Sequence, residues 1–300
     1  MKQIFVLLLF CLSAPCLLIA QEQIHVVTKK INESYNYRED YEVNIEGDRA
    51  EVYIQPNLEN KILIDIEVIA KHPNQEQAEK DVEKMATIVK RLKNKIYIRN
   101  YLDAEEKSEA QLKVIYRITV PAQCPVYIKN AYGVAEVDNL TNSVKINSKF
   151  SHVSLQGLTG NMDLFTRYGD IYGQSLSGNA TIASHRTDMI LKDIEGTYNI
   201  DAAYGNIQIY ASAGLLDLNL DAEKSQVMLF NPDLSSFRYD LTTVSTPTLL
   251  PEGMDFEITQ PEPNVQRIQY TPNNEYFPSF SVKVTFGTLQ VQKSSKVKRP

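Results

Sequence analysis

Tyr-Gly recurs three times at one interval: Tyr132-Gly133, Tyr168-Gly169 and Tyr204-Gly205, each pair 36 residues beyond the last. A second glycine series, Gly160, Gly178, Gly196 and Gly214, halves that interval to 18 residues. A fixed period of this length means stacked copies of one supersecondary unit, each burying its apolar face against its neighbours. The repeat constrains the architecture and names no ligand or reaction.

Columns of 18 residues expose the unit. One column reads Ile146, Leu164, Ile182, Ile200, Leu218, and two residues earlier it reads Val144, Met162, Ala180, Tyr198, Leu216. After a polar break come Ala135, Val153, Ile171, Met189, Ile207, then Val137, Leu155, Gly173, Leu191, Ile209, Val227. The residues between are mostly polar, for example Lys145, Asp163, Thr181, Asn199 and Asp217. Period-2 alternation is the mark of a strand with one buried face. Each unit is therefore expected to hold two short strands, near 144–150 and 153–156 in the second copy.

The breaks carry turn chemistry. Gly133, Ser151, Gly169, Thr187 and Gly205 mark one corner, and Asn139, Gly157, Ser175, Asp193 and Ala211 the other. Gly, Asn, Asp and Ser tolerate left-handed backbone or bond back to it. Such corners every 18 residues predict a β-solenoid whose rungs rise about 4.8 Å each, so six rungs over 126–230 would span about 29 Å. A left-handed hexapeptide helix is excluded, because sixth positions counted from Leu164 fall on Asp170 and Leu176.

The first twenty residues read as a leader. Lys2 precedes an apolar run from Ile4 to Phe10, and Leu18-Ile19-Ala20 before Gln21 suits a signal-peptidase site. Pro15 before Cys16, with Leu17 and Leu18 after it, fits lipid attachment poorly. Removing the leader leaves a single cysteine, Cys124, so no disulfide framework is expected despite export, and Cys124 reads as a small buried apolar residue. With Lys2 gone, 30 Lys+Arg (31 − 1) face 37 Asp+Glu, an acidic balance that excludes nucleic acid as the partner.

Residues 21–125 are expected to form a β region with one helix at about 75–92, capped by Asn74 with Gln77 and striped by Ala78, Val82, Met85, Val89 and Leu92. That helix should cover an end or a face of the sheet and block its exposed edge. Residues 231–300 gain prolines yet keep alternation at 237–241 and 267–270, while 280–291 echoes the repeat and reads as a final rung. Lys293, Lys296, Lys298 and Arg299 form a basic tail.

Tyr204-Gly-Asn-Ile-Gln-Ile, with Tyr168-Gly-Asp-Ile as a second copy, resembles the bacterial exported putative-adhesin family of β-strand repeats. These domains were first catalogued as of unknown function and are related to auto-transporter adhesin heads. The resemblance spans roughly 40–230. It implies adhesion at the cell surface, or an accessory role beside envelope-stress systems. It carries no catalytic residues with it.

The corner column Tyr132, Phe150, Tyr168, Arg186, Tyr204 is the candidate binding surface. It reads as an aromatic ladder locking the corners or as a platform for sugar rings or a partner protein, and the architectural reading is preferred. The next column, His152, Asp170, Asp188, Asn206, would set two carboxylates about 5 Å apart, as in retaining glycosidases. Lys149, Arg167 and His185 lie close by in another column. Asp170 and Asp188 are also the candidates for a calcium ion, although Asp and Asn are what a turn after the Gly corner wants. His25 and His72 are scattered, no spacing suggests zinc, and no cofactor is expected.

The expectation is thus an all-β, exported, non-catalytic scaffold or binding protein in the periplasm, on the outer surface or secreted. Its partner would be a glycan or a cell-envelope protein, with no transmembrane segment after leader removal. The rival is a carbohydrate-active β-helix enzyme on polysaccharide.

Overall fold

The computed structural model describes residues 23–103, 107–273 and 277–294; the leader with Cys16, and Lys296, Lys298 and Arg299 of the tail, lie outside them. The structure is all-β: strands make up 72% of it, and one sheet of twenty strands wraps into a nearly closed, barrel-like form. Its only α-helix among the described residues is a ten-residue insert, so the core comes from sheet faces.

Two columns of strands carry the stacking. In the first, β2 (Glu42–Asp48) lies between β6 (Lys95–Leu102) and β8 (Val126–Ala131), followed by β10 (Val144–Lys149) and the start of β12 (Thr159–Ala203), all parallel. In the second, β3 (Ala50–Asn57) lies between β7 (Gln111–Pro121) and β9 (Val134–Asp138), followed by β11 (His152–Gln156) and a later stretch of β12, again parallel. The offset is 18 residues: Ile128 pairs with Ile146 and Ile146 with Leu164. It persists inside β12, where Asn179 Nδ2 donates to Asn161 Oδ1 at 3.3 Å and Ser175 Oγ to Asp193 Oδ2 at 3.1 Å.

Alternation decides which face is buried. Ile146, Leu164, Ile182 and Ile200 are all at most 4% exposed, and Val153, Ile171, Met189 and Ile207 at most 1%. Each such aliphatic contributes on the order of 1.5–3 kcal/mol by leaving water. Gly173 interrupts its leucine column because a Cβ there would meet Leu176 Cδ1 at 2.7 Å and Leu191 Cδ2 at 2.9 Å.

The uniform 18-residue columns fail after Ile200. Between Lys192 and Thr197 the pairing with β13 (Asn206–Glu223) shifts, after which Tyr198 pairs with Leu218 and Ile200 with Leu220. The offset becomes 20. Leu218 therefore stacks on Tyr198, Val227 of β14 (Gln226–Asn231) on Ile207, and Leu216 is expelled to 61% exposure. Gly214 leaves the glycine column and sits against the Glu195 side chain, and Ala211 pairs with Ile194. Two extra residues keep inside–outside parity, so the period changes without exposing the core.

Sequence order and stacking order diverge at both ends of the stack. β2 and β3 precede β6 and β7 in sequence, yet β6 and β7 stack outside them. At the other end β19 (Ser279–Thr285) and β20 (Thr288–Lys293) insert between β13 and β14 on one side and β15 (Arg238–Val244) and β16 (Thr248–Leu249) on the other. Residues 280–291 are thus a penultimate level rather than a final one. Beyond β15 an antiparallel pair, β18 (Val265–Tyr270) and β17 (Glu257–Glu262), ends that column.

The helix is shorter than its apolar stripe. α1 (Gln75–Lys84) is capped by Asn74 accepting from Gln77 N, but Met85–Leu92 forms β5, antiparallel to β6. The β-branched run Thr87-Ile88-Val89 and a two-residue hairpin at Lys93 (φ 55°) and Asn94 favour strand over further helix. α1 packs on β4 (Lys61–His72) and on β1 (His25–Asn36), an edge strand that among the described residues pairs with β4 alone, so it lies at an end of the sheet.

A buried carboxylate pins α1. Burial alone would raise the Asp81 carboxyl, but Lys84 Nζ at 2.6 Å and the amides of Ala110 and Glu109, both at 2.8 Å, outweigh it and hold it well below the usual carboxylate range. Cys124 is also buried, which pushes its thiol up to about 12 and keeps it unreactive.

Two outcomes follow. Leu164→Asp or Ile182→Asp should cost about 3 kcal/mol or more by burying an unpaired charge, whereas the exposed Thr181→Asp should be near neutral in urea unfolding. Because the native Asp81 carboxyl is depressed, its stabilisation is full above about pH 4 and lost as pH falls towards the native value. Asp81→Asn should therefore be less stable at pH 7 and show a smaller loss on acidification than the wild type.

Candidate functional site

The corner joining the two strand columns carries the longest in-register row of aromatic residues among the described residues. The residues turning this corner are in left-handed backbone: Tyr132 (φ 56°), Phe150 (50°), Tyr168 (56°), Arg186 (51°), Tyr204 (59°) and Lys224 (49°). This corrects the expectation that the corner glycines supply that conformation. Left-handed backbone costs a bulky residue roughly 1–2 kcal/mol. Cross-level hydrogen bonds hold it: Tyr132 N donates to Lys149 O at 3.0 Å, Phe150 N to Arg167 O at 2.9 Å and Tyr204 N to Glu223 O at 3.0 Å.

The glycines answer a different demand. A Cβ on Gly133 would lie 1.8 Å from Ala50 O, on Gly169 2.1 Å from Ser151 O, and on Gly205 2.0 Å from Thr187 O. The carbonyl of one level occupies the place a side chain would need on the next. The intervening levels carry small hydroxyl residues, Ser151, Thr187 and Ser225, all buried. Ser151 Oγ accepts from Gly133 N at 3.4 Å and Ser225 Oγ from Gly205 N at 3.3 Å, while each donates to its own i−2 carbonyl at 2.9 Å. Glycine and hydroxyl residues thus alternate along the corner, which doubles the Tyr-Gly period to 36.

Outside this backbone seam the side chains stack. Tyr132 and Phe150 lie 5.0 Å apart and 3° from parallel, and Phe150 and Tyr168 lie 4.9 Å apart at 9°. The Arg186 guanidinium sits 5.5 Å from the Tyr168 ring and 5.8 Å from that of Tyr204, and Lys224 closes on Tyr204 from 5.1 Å. The rings are 41–58% exposed. Within the row the ring faces of Phe150, Tyr168 and Tyr204 are shared with neighbours on both sides. A sugar stacks on an open ring face, and covered faces leave little of one within the row.

The other predicted residues separate. Asp188 Oδ1 accepts from Asn206 N at 2.8 Å and from Asn206 Nδ2 at 3.1 Å, bonding the next level as a turn residue does. Asp170 faces His152 at 3.9 Å. Among the described residues no group of three or more His, Cys, Asp or Glu could hold a metal ion. Lys149, Arg167 and His185 project from the first strand column and Asp170 and Asp188 from the second, with the corner between them. Arg167 and His185 line a hollow of about 430 Å³ with Phe165 and Asp201, and neither Asp170 nor Asp188 lines it.

The sequence reading missed a second candidate surface, on the outward face of β5, β6, β2 and β8. Two cross-strand rows run over it: Lys90, Tyr97, Asn44 and Tyr127, then Ile88, Arg99, Glu46 and Lys129. Asn44, Tyr97, Tyr127, Ile88 and Leu92 line a hollow of about 430 Å³. The signal lies in outward polar and aromatic residues between the apolar ones, hidden because the apolar spacing through Met85, Val89 and Leu92 also fits a helix.

No family model matches the sequence, and no curated protein matches it. The solved structure of a putative adhesin from Bacteroides fragilis matches with a TM-score of 0.52 at 15% identity, covering 88% of this chain and 97% of that one. A putative cell adhesion protein from Clostridium sporogenes matches with a TM-score of 0.26 at 12% identity, covering 89% of this chain and 100% of that one. The first likeness is one of fold. No helix among the described residues is long and apolar enough to cross a membrane.

If the corner row is architectural, Tyr168→Ala should lower stability by about 1–2 kcal/mol through two lost stacking contacts, and Arg186→Ala by less. Thermal melts beside a binding assay check this: unchanged melting with abolished binding would make the row a recognition face.

Proposed function

We infer that the chain is an exported β-solenoid of two-strand rungs acting at the cell envelope as an adhesin-like binding or scaffold protein, without catalysis. The observation that carries this reading is the repetition of outward side chains level after level at a constant offset, which builds long faces rather than one cleft of convergent groups. Long faces suit multivalent contact with a polymer or a partner surface. Leader cleavage before Gln21, a solenoid centred on 126–230, and a glycan or envelope protein as partner belong to the same reading. The fold of the Bacteroides fragilis protein, whose name refers to adhesion, is consistent with it. An accessory role beside envelope-stress systems is the variant of this reading that needs no glycan.

The polysaccharide-hydrolase reading is less well supported, because the acidic and basic columns lie on opposite sides of the corner and Asp188 is engaged with Asn206. A glycan array probed with the mature protein should show binding without product release. Asp170→Asn and Asp188→Asn should leave that binding unchanged, and calcium or chelator should not move the melting temperature. Hydrolysis lost in either variant would establish an enzyme, and a calcium-dependent stabilisation lost in Asp188→Asn would establish a metal site.

A further inference from the structure

We propose that the outward face of β2, β5, β6 and β8 is a binding site for an acidic sugar, such as a uronic, sialic or sulfated residue of a glycan. The proposal rests on the glycan-binding form of the function above and names its ligand class and its place.

Three features of the hollow converge. Its floor holds Asn44, which pairs by register with Tyr97 on one side and Tyr127 on the other. The Asn44 Nδ2 is buried and has no hydrogen-bond partner. A buried donor without an acceptor is costly, and a ligand oxygen seated between the tyrosines would satisfy it. Unlike the corner rings, Tyr97 and Tyr127 have no stacked aromatic partner among the described residues, and Tyr97 is 38% exposed. Ring faces flanking an amide suit the alternating C–H and hydroxyl surface of a pyranose.

Charge selects an acidic sugar over a neutral one. Although the whole chain carries a formal charge of −6, Lys90, Arg99 and Lys129 line this hollow with Glu46 as its only acid. Lys129 is paired with Glu46 at 2.5 Å. Arg99 has no carboxylate partner among the described residues and turns its guanidinium over the Tyr101 ring at 4.8 Å. A second hollow of about 390 Å³ adjoins the first through Glu46, Arg99 and Lys129, and adds Lys149 and Asp48, so that three cations face two acids there. Arg99 thus lies where the two hollows meet, with its fork available to a carboxylate or sulfate. An extended acidic glycan could run from one hollow into the next.

The test begins with a panel of uronic, sialylated and sulfated oligosaccharides, each beside its neutral counterpart. The tightest acidic binder is then titrated calorimetrically into wild type, Asn44→Ala, Tyr97→Ala, Arg99→Ala and Tyr168→Ala, with circular dichroism confirming that each is folded. Binding should weaken with added salt and fall at least about tenfold in Asn44→Ala and Arg99→Ala, while Tyr168→Ala, at the corner, should bind like wild type. Folded Asn44→Ala and Arg99→Ala proteins that bind like wild type would overturn the site. Binding of neutral glycans alone would overturn the ligand class and leave the envelope-binding reading standing. No binding to any glycan would overturn the proposal and its glycan premise together, and capture of acidic peptides instead would assign the surface to a protein partner.

Discussion

One level of this protein approaches the next so closely at its corner that a backbone carbonyl takes the space of a missing side chain. Ser151 O lies where a Cβ of Gly169 would be, and Thr187 O where that of Gly205 would be. The parallel pairing on either side, the inward apolar columns and the face-to-face rings outside all inherit their spacing from that contact. Strands in a sheet lie about 4.8 Å apart, and rings stacked at 4.9–5.0 Å match it with little adjustment. The left-handed cost at Tyr132, Phe150 and Tyr168 is offset by stacking on neighbours that the same spacing delivers.

A stack of parallel strands has two open edges, and each is a template for unwanted pairing. Here most of those edges are extended by antiparallel strands. At one end β6 and β7 lie outside β2 and β3, then β5, β4 and β1 extend the sheet antiparallel and α1 packs on β1 and β4. At the other, β19 and β20 are held between levels and the outer column ends in the β17–β18 hairpin. Antiparallel additions break the repeating register at these edges.

Much of this was legible because the period is carried by side chains. The inward columns from Val144 to Ile200, the strand limits near 144–149 and 152–156, and the Asn74 cap all stand in the sequence as spacing. What stayed hidden was long-range or non-periodic. The shift to a 20-residue offset after Lys192 leaves parity intact, so Leu216 and Leu218 still looked like one pattern. The apolar stripe through Met85, Val89 and Leu92 fits a helix as well as a strand edge, and only pairing with β6 decides. The insertion of β19 and β20 below β15 has no local signal at all. Of the candidate sites, the corner row was found as a column, whereas the hollow around Asn44 needs three strands distant in sequence to be brought side by side.

Whether the corner glycines serve space or conformation is the point on which the account turns. Gly169 has crowded backbone without positive φ, while Gly253 has φ 78° and nothing within 4 Å of an added Cβ. Equilibrium urea unfolding of Gly169→Ala and Gly253→Ala separates the two demands. The account predicts that Gly169→Ala loses about 3 kcal/mol or more through overpacking, and Gly253→Ala only about 1 kcal/mol of left-handed strain. A Gly169→Ala protein as stable as the wild type, or one less affected than Gly253→Ala, would contradict it.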